Sequence, residues 1–343
     1  MKIVDPKDIQ IQFLNRINDL IPKETSLVVV LSDLLEISND SAYRRMRGET
    51  MLTIEEIVTL CDSFNISFDA FSRKETGLVT FRYKLIEPQK ENLLEYMKGI
   101  LSDMKTIANC KNSNIIYACS DIPVFYHYDY PETAAFKLFY WMKSIMNIPE
   151  LEKAKYNPEL IDPELFEVTK NIISLYKQIP SIEIWTDLTI HSTIKQIEYY
   201  WEAGVFENVE DAIIICDGLH KLIADIQDKA EKTVKYEDGK IPEGMPEKNY
   251  ELYHSDIQII NNSVLVNLDQ TKAVYLSHFS FYTMSTMNDI YNEKTAAWLN
   301  SLIKRSVLIS GVAEKQRYQF FKRMFQLLDD LKNKITQSAS NQE

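Results

Sequence analysis

The sequence has little that would assign it to a membrane, a secretory route or an oxidising compartment. No run of residues approaches the roughly 20 consecutive apolar side chains that a membrane helix needs. The first residues, MKIVDPKDIQIQF, contain charge and proline in place of the apolar core of a signal peptide. The four cysteines are scattered without a paired spacing, which is typical of reduced thiols. We therefore expect a cytoplasmic protein with no membrane partner.

Signatures of catalysis are also missing. Residues 77–343 contain no Gly-rich phosphate loop, no G-x-S-x-G motif and no H-E-x-x-H motif. Cys216 and His220 are four residues apart and would share a helix face, but zinc needs three or four ligands. This pair is therefore better interpreted as part of a core. We expect no metal, no cofactor and no catalytic residues, so the chain is not predicted to be an enzyme.

Basic residues are not in excess, which argues against a general affinity for nucleic acids. The chain has 38 Lys and Arg against 50 Asp and Glu, a net charge of −12. Residues 1–76 contain 9 Lys and Arg against 13 Asp and Glu. Residues 39–48, however, contain three arginines and a single acidic residue. Specific binding needs cations at the phosphate surface and not across the whole domain. The acidity therefore predicts that non-specific affinity for DNA is weak, and it does not exclude specific binding.

The N-terminal part of the chain has the apolar spacing and capping signals of a small helical module. The predicted helices cover residues 9–21, 26–36, 39–47 and 54–64, with a last short turn over 68–72. Ser38 or Asn39 suits the N-cap of the third helix, and Gly48 suits its C-terminal stop. Thr53 and Glu56 have the spacing of a capping box for the fourth helix. The side chains predicted to close the core are Phe13, Ile17, Leu31, Leu34, Leu35, Ile57 and Leu60.

The second and third predicted helices have the pattern of a helix-turn-helix. An apolar segment, Leu27 to Leu35, runs into a short turn at Glu36–Ser38. A polar and arginine-rich helix, Asn39 to Arg47, follows at once. In a helix-turn-helix the second helix lies in the DNA major groove. This segment therefore predicts double-stranded DNA as a partner.

Residues 9–72, about a fifth of the chain, resemble the lambda-repressor-like (XRE, Cro/C1-type) family of DNA-binding domains. In that family the turn is followed by Ser or Thr, then by a small apolar residue four positions later, and a Gly closes the helix. Here these positions hold Ser38, Ala42 and Gly48. The segment NISFDAF, residues 65–71, resembles the motif with which the next helix of that family typically ends.

Two departures from the family pattern predict local differences. Glu36 occupies the turn position where Gly is common, so we expect a less typical backbone there. Arg45 and Met46 stand where the family usually has an apolar residue followed by Glu. We therefore expect Met46 to face the core and Arg45 to be turned outward.

The resemblance implies that the start and the outer face of the third helix contact DNA. Arg pairs with guanine, Asn pairs with adenine, and Asp can accept from cytosine or instead cap the helix. The residues expected at base edges are Asn39, Asp40, Ser41 and Arg44, next to Ser38 at the helix start. The residues expected at phosphates, which fix register without reading sequence, are Tyr43, Arg45 and Arg47. The alternative is a helical bundle whose arginine-rich helix binds a protein.

Residues 77–343 alternate between β-prone and helical patterns. The β-prone segments are 78–86, 114–119, 124–128, 250–260, 264–268 and 273–279. The predicted helices are 88–108, 131–146, 162–179, 187–203, 207–235, 290–308 and 312–335. Asn261–Asn262 is predicted to be a hairpin turn, 236–248 a loop, and 73–77 the linker between the domains. The expected fold is an all-α helix-turn-helix head, residues 1–76, followed by a larger helix-rich α+β domain, residues 77–343.

Two aromatic clusters, around residues 125–141 and 275–282, indicate either a ligand pocket or a core, because Tyr and Trp combine apolar area with a polar group. The residues predicted to line a pocket for a small-molecule effector are Tyr126, Tyr128, Trp141 and Tyr282. The two long C-terminal helices can likewise supply a dimer surface or core.

The sequence as a whole predicts a DNA-binding transcription regulator with a C-terminal sensor or dimerisation domain. A homodimer is expected, because one recognition helix covers only a few base pairs. The alternatives are a protein-interaction scaffold that contains a helix-turn-helix, and an enzyme with a DNA-binding head.

Overall fold

The computed structural model describes residues 5–21, 25–64, 66, 68, 77–84, 86–236, 240–241, 246, 248–279 and 282–340. Backbone contacts divide the chain into two compact units, Met1–Thr80 and Phe81–Glu343. The turn predicted over 68–72, the linker at 73–77 and the loop at 236–248 lie largely outside the described residues. In the described ranges, no helix has both the length and the apolar character needed to cross a membrane.

The first unit has four described helices close to their predicted positions. They are α1 (Pro6–Leu20), α2 (Leu27–Leu35), α3 (Asn39–Met46) and α4 (Ile54–Phe64). The fully buried side chains are Phe13, Leu14, Ile17, Leu27, Val28, Leu31, Ala42 and Leu60. Leu34, which was predicted in this core, is 37% exposed. The buried row of α2 runs through Leu27, Leu31 and Leu35 at i, i+4 spacing, which leaves Leu34 at its edge.

The second unit is a mixed α/β structure. Its helices are α5 (Lys90–Ala108), α6 (Pro131–Tyr140), α7 (Pro163–Lys177), α8 (His191–Glu202), α9 (Val209–Lys232), α10 (Asp289–Lys304) and α11 (Glu314–Ser340). Its strands are β1 (Arg82–Tyr83), β2 (Ser113–Ala118), β3 (Ser181–Trp185), β4 (Tyr250–His254), β5 (Ser263–Leu268), β6 (Thr271–His278), β7 (Tyr282–Thr286) and β8 (Val307–Leu308). The combination of helices and strands predicted for this unit is confirmed.

The eight strands form one sheet in the order β1-β7-β6-β5-β2-β3-β4-β8. The pairs β2–β3 and β3–β4 are parallel, and every other neighbouring pair is antiparallel. Parallel neighbours require long crossovers, and these are helical here: α6 and α7 join β2 to β3, and α8 and α9 join β3 to β4. No pattern in the sequence had indicated this parallel centre.

Several local predictions in this unit are wrong. The helix predicted over 290–308 ends at Lys304, and Val307–Leu308 is the strand β8. Residues 124–128 form a 3-10 helix, Val124–Asp129, and not a strand, because Pro123 precedes it and its rings pack into the core in spite of their β propensity. The strand predicted over 250–260 ends at His254. Asn261–Asn262 is not a hairpin turn, because β3 and β2 lie between β4 and β5 in the sheet. The observed hairpin joins β5 to β6 at Asp269, whose φ is +47°.

The two faces of the sheet have different cores. Alternate residues of β2 point to opposite faces: Ile115 and Tyr117 join the larger core with α5 to α9 and α11, and Ile116 joins a smaller core with α10. The side chains of α11 that are buried in the larger core are Phe320, Phe321, Met324, Leu328, Leu331 and Ile335. This apolar row of α11 is therefore core and is not available as a dimer surface.

A buried carboxylate connects the elements around the parallel strands. Glu183 lies on β3, the middle one of the three parallel strands, and has no exposed surface. Its two oxygens accept four hydrogen bonds from side chains of different elements. The donors are Tyr126 Oη (2.7 Å) and Tyr176 Oη (2.5 Å) to Oε1, and Trp185 Nε1 (2.9 Å) and Tyr250 Oη (3.1 Å) to Oε2. One carboxylate thus joins the 3-10 helix, α7, β3 and β4.

A buried lysine, Lys235, also acts on Glu183. Burial raises the pKa of Glu183, while the hydrogen bonds from Tyr176 and Tyr126 and the charge of Lys235 oppose that rise. Burial likewise lowers the pKa of Lys235 to about 7. The Lys235 ammonium donates to the carbonyl oxygens of Tyr176 (2.6 Å) and Ile179, and it lies over the Tyr176 ring.

We predict that Glu183→Leu destabilises the second unit far more than Glu183→Gln, although both remove the charge. Leucine leaves four buried donors without an acceptor, at about 1 kcal/mol or more for each. Glutamine keeps one acceptor oxygen for Trp185 and Tyr250, and its amide can donate to the other two hydroxyls. Urea unfolding followed by tryptophan fluorescence measures both changes, because Trp185 lies in the network. Equal stability of the two variants would contradict the account.

Candidate nucleic-acid interface and ligand cavity

Helix α3 is positioned from beneath by a buried glutamine of α1. The Gln10 side chain is 3% exposed. Its Nε2 donates to the carbonyl oxygens of Arg45 and Thr50, both at 2.8 Å, and its Oε1 accepts from the Leu52 amide at 2.7 Å. These three hydrogen bonds attach the end of α3 and the loop after it to α1. The role of Gln10 could not be predicted from the sequence, because a single polar residue in an amphipathic helix does not reveal partners about 40 residues away.

Both ends of α3 agree with the capping predictions. Ser38 is the N-cap, and its Oγ accepts from the Ser41 amide at 3.3 Å. Gly48 has a φ of +66°, a left-handed conformation that suits glycine, and its amide donates to the Arg45 carbonyl. Before α3, Glu36 has a φ of +53°, so the unusual backbone expected at this turn is present. A short turn with a left-handed residue therefore joins α2 to α3.

Arg45 does not point freely outward, which corrects the expectation for this residue. Its guanidinium donates through Nε (3.1 Å) and Nη2 (2.6 Å) to the two carboxylate oxygens of Glu56, and both side chains are less than 15% exposed. Glu56 also closes the capping box predicted for α4, since Thr53 and Glu56 each accept from the other's amide. Partial burial acts to raise the pKa of Glu56, but the hydrogen bonds from Arg45 and Thr53 outweigh it and lower that pKa. Arg45 is therefore an internal brace between α3 and α4.

The outer face of α3 presents most of the other residues predicted to contact DNA. Those that are exposed are Ser38, Asn39, Asp40, Tyr43, Arg44 and Arg47, and Ser41 is half-buried beside them. Met46 is partly buried against the core, as expected. Asn39 Oδ1 accepts from Ser32 Oγ at 2.8 Å, which orients its amide group.

The two exposed arginines of α3 differ in their partners. Arg47 donates through Nε (2.7 Å) and Nη2 (3.1 Å) to Glu49, and this hydrogen bond lowers the pKa of Glu49 and raises that of Arg47. Within the described ranges, the Arg44 guanidinium has no ion-pair partner. Arg44 is therefore the arginine of this helix that can engage an external acceptor without first breaking an ion pair.

The second unit contains a cavity of about 220 Å³ between α5 and the sheet face that carries Tyr117. The aromatic side chains that line it are Tyr96, Tyr117, Phe125, Tyr128, Trp141 and Tyr275. Two of the four residues predicted for a ligand pocket, Tyr128 and Trp141, are thus found in its wall. Tyr126 instead bonds to Glu183, and Tyr282 packs near the Tyr83 ring, at 6.2 Å between ring centroids.

A buried lysine lies in the wall of this cavity. Lys137 of α6 is 4% exposed, and its ammonium donates to Thr193 Oγ1 (2.8 Å) and Gln196 Oε1 (2.7 Å) of α8. Burial lowers the pKa of Lys137 to about 8, and the charge of Asp121 opposes this effect. Lys137 was not among the residues predicted to line a pocket. The available signal was a single lysine in the apolar run from Ala134 to Met142, where a charged side chain needs buried partners.

The described residues contain no group of three or more His, Cys, Asp or Glu side chains that could hold a metal ion. Cys216 is buried in the core, and the ring of His220 stacks on that of Phe325 at 4.5 Å. Comparisons with protein-family models, with curated proteins and with solved structures find no match for this chain.

We predict that Arg45→Ala destabilises the first unit by about 2 kcal/mol, because it leaves a half-buried Glu56 without its main donor. Arg47→Ala should change stability little, since its ion pair is exposed. Urea unfolding followed by far-ultraviolet circular dichroism measures both variants. Tryptophan fluorescence monitors the second unit separately, because all four tryptophans lie between residues 141 and 298. A loss from Arg47→Ala as large as that from Arg45→Ala would contradict these assignments.

Proposed function

We propose that this chain is a sequence-specific DNA-binding transcription regulator in which α3 reads the major groove. The observation that carries the proposal is the exposed face of α3. It presents Asn39, Asp40 and Arg44 together on a short helix that follows a tight turn from α2. These side chains have the donor and acceptor groups that distinguish base pairs in the major groove. An α-helix also fits the width of that groove.

The ion pair between Arg45 and Glu56 supports the proposed role of α3. By anchoring one side of α3 to α4, it leaves Tyr43 and Arg44 on the solvent side. Gln10 and the cap at Ser38 hold the two ends of the same helix. Recognition side chains on a rigidly held element lose less conformational freedom on binding, which favours specificity.

The charge pattern of α3 predicts that the sequence-independent part of its affinity for DNA is weak. Two of the three arginines of α3 are already paired with glutamates, Arg45 with Glu56 and Arg47 with Glu49. Arg47 is exposed and can exchange Glu49 for a phosphate, whereas Arg45 is held inside the unit. Few phosphate contacts mean a shallow dependence of affinity on salt. We therefore propose a homodimer that engages two half-sites, because one such helix would bind weakly.

The second unit is proposed to act as a sensor domain. This proposal is supported by the cavity, which has room for a small molecule and is lined by Tyr128, Trp141 and other aromatic rings. A ligand changes DNA affinity only if it binds one of two states of the dimer more tightly. A protein partner for α3 in place of DNA is the competing outcome of the experiment below.

We predict that Arg44→Ala costs about 1–3 kcal/mol of specific affinity and relaxes preference at one base position. Arg47→Ala should weaken binding to all sequences alike and reduce the salt slope by about one. The measurement is fluorescence anisotropy with a duplex selected from a random pool by the full chain, repeated on single-base variants of that duplex. Arg305→Ala is the matched control, since Arg305 is an exposed arginine at the end of α10.

The proposal fails if no duplex is enriched by the selection, or if Arg44→Ala and Arg305→Ala bind the selected duplex equally well. Equal losses on every sequence from Arg44→Ala and Arg47→Ala would show that neither arginine reads bases. Binding of the intact chain to a protein through the α3 face, without enrichment of DNA, would favour the scaffold alternative.

A further inference from the structure

The cavity of the second unit combines apolar walls with a buried cation. We propose that it binds a small organic carboxylate, with an apolar or aromatic body in the cavity and its charged group on the Lys137 ammonium. The binding step stands on the cavity alone, and only its effect on DNA affinity rests on the proposed function.

The dimensions of the cavity limit the size of the ligand. A dry cavity of about 150 Å³ holds benzene, so one of about 220 Å³ suits a molecule of about nine non-hydrogen atoms. Rings line several sides, among them Phe125, Tyr128 and Trp141. Such walls favour a flat or unbranched apolar body and give no reason for a highly hydroxylated ligand.

Lys137 provides the charge that such a ligand would neutralise. An ammonium has three N–H donors, and two of those of Lys137 are used by the neutral acceptors Thr193 and Gln196. In the part of the chain that the structure describes, no carboxylate forms an ion pair with it. With a pKa of about 8, Lys137 is mainly protonated at neutral pH. A buried cation in contact with neutral acceptors alone is costly, and a bound carboxylate would lower that cost.

The other charged groups around the cavity are compatible with an anion. Arg82 and Lys84 line it from exposed positions, so they place positive charge on its solvent side. Burial raises the pKa of Asp103, although the charge of Arg82 and a hydrogen bond from Tyr275 oppose that rise. The Asp121 carboxylate accepts from Asn262 Nδ2 at 2.5 Å. Both acids of the wall therefore have hydrogen-bond partners of their own, and the charge of Asp121 acts on Lys137 without forming an ion pair with it.

The position of the cavity in the sheet is consistent with ligand binding. Asp121 and Ile122, which follow the carboxyl end of β2, lie in its wall with Lys137 and Gln196. At β2 the parallel strands give way to the antiparallel ones, since β2 pairs with β3 on one side and with β5 on the other. Crevices at the carboxyl ends of strands, where strand order changes, are common ligand sites in α/β structures.

The test measures binding of carboxylates and of their neutral amides to the full chain without DNA. Isothermal titration calorimetry is performed with benzoate, phenylacetate, hexanoate and octanoate, each compared with its primary amide. We expect at least one acid to bind about tenfold or more tightly than its amide, because only the acid can pair with Lys137. Lys137→Met should remove this preference, and Lys153→Met, at an exposed lysine, should keep it.

A second variant keeps the test valid if Lys137→Met fails to fold. Gln196→Glu places a carboxylate next to the Lys137 ammonium, with nearly the same shape, and should abolish the preference for the acid over its amide, because the new carboxylate takes the place of the ligand's charged group. The proposal is overturned if no acid of the panel binds, if acids and amides bind equally, or if the preference persists in Lys137→Met or Gln196→Glu. Failure of the chain to bind DNA would leave these results unchanged, so the two proposals fail separately.

Discussion

The second unit depends on one buried carboxylate. The helices that connect the parallel strands β2, β3 and β4 must be held at fixed positions against those strands. Apolar contacts alone fix these positions less well, because they are not directional. Glu183 supplies directional contacts at the middle of β3, because its four donors come from a 3-10 helix, α7, β3 and β4. A buried carboxylate is tolerated only when its oxygens are hydrogen-bonded, and here the four donors satisfy both oxygens while the charge of Lys235 acts in the same direction on its pKa. Tyr126 belongs to this hydrogen-bond network and therefore does not line the cavity.

The cavity and α3 each contain a charged side chain that can still take a further partner, unlike Glu183. Glu183 and Arg45 are both engaged with partners inside the protein, and each joins different secondary-structure elements. Lys137 and Arg44 each retain capacity for an external partner, one in a buried wall and one on an exposed helix. The charged side chains thus divide into those that stabilise the fold and those that are available to bind a ligand or DNA. This division is the physical basis of both proposals.

Local signals predicted the first unit well, because its helices are set by apolar spacing and by caps within a few residues, such as Ser38, Gly48 and the Thr53–Glu56 box. The orientation of Arg45 was missed, since its partner lies eleven residues away in the next helix. In the second unit, β propensity misled at Val124–Asp129, where burial of the rings determines the conformation. Tyr128 and Trp141 were found as cavity residues by composition. Lys137 stands out as the single lysine of an apolar run, but its role could not be assigned, because its acceptors are 56 and 59 residues away.

The most direct test of the central claim asks which surface of the intact chain DNA covers. Tyr43 on α3 is 49% exposed and Tyr199 on α8 is 59% exposed, so hydroxyl radicals oxidise both rings in the free protein. Oxidation of each is quantified by mass spectrometry with and without a saturating amount of the selected duplex. The account predicts that the duplex protects Tyr43 and leaves Tyr199 as reactive as before. Unchanged oxidation of Tyr43 in the bound state would contradict the assignment of α3 as the DNA-reading helix.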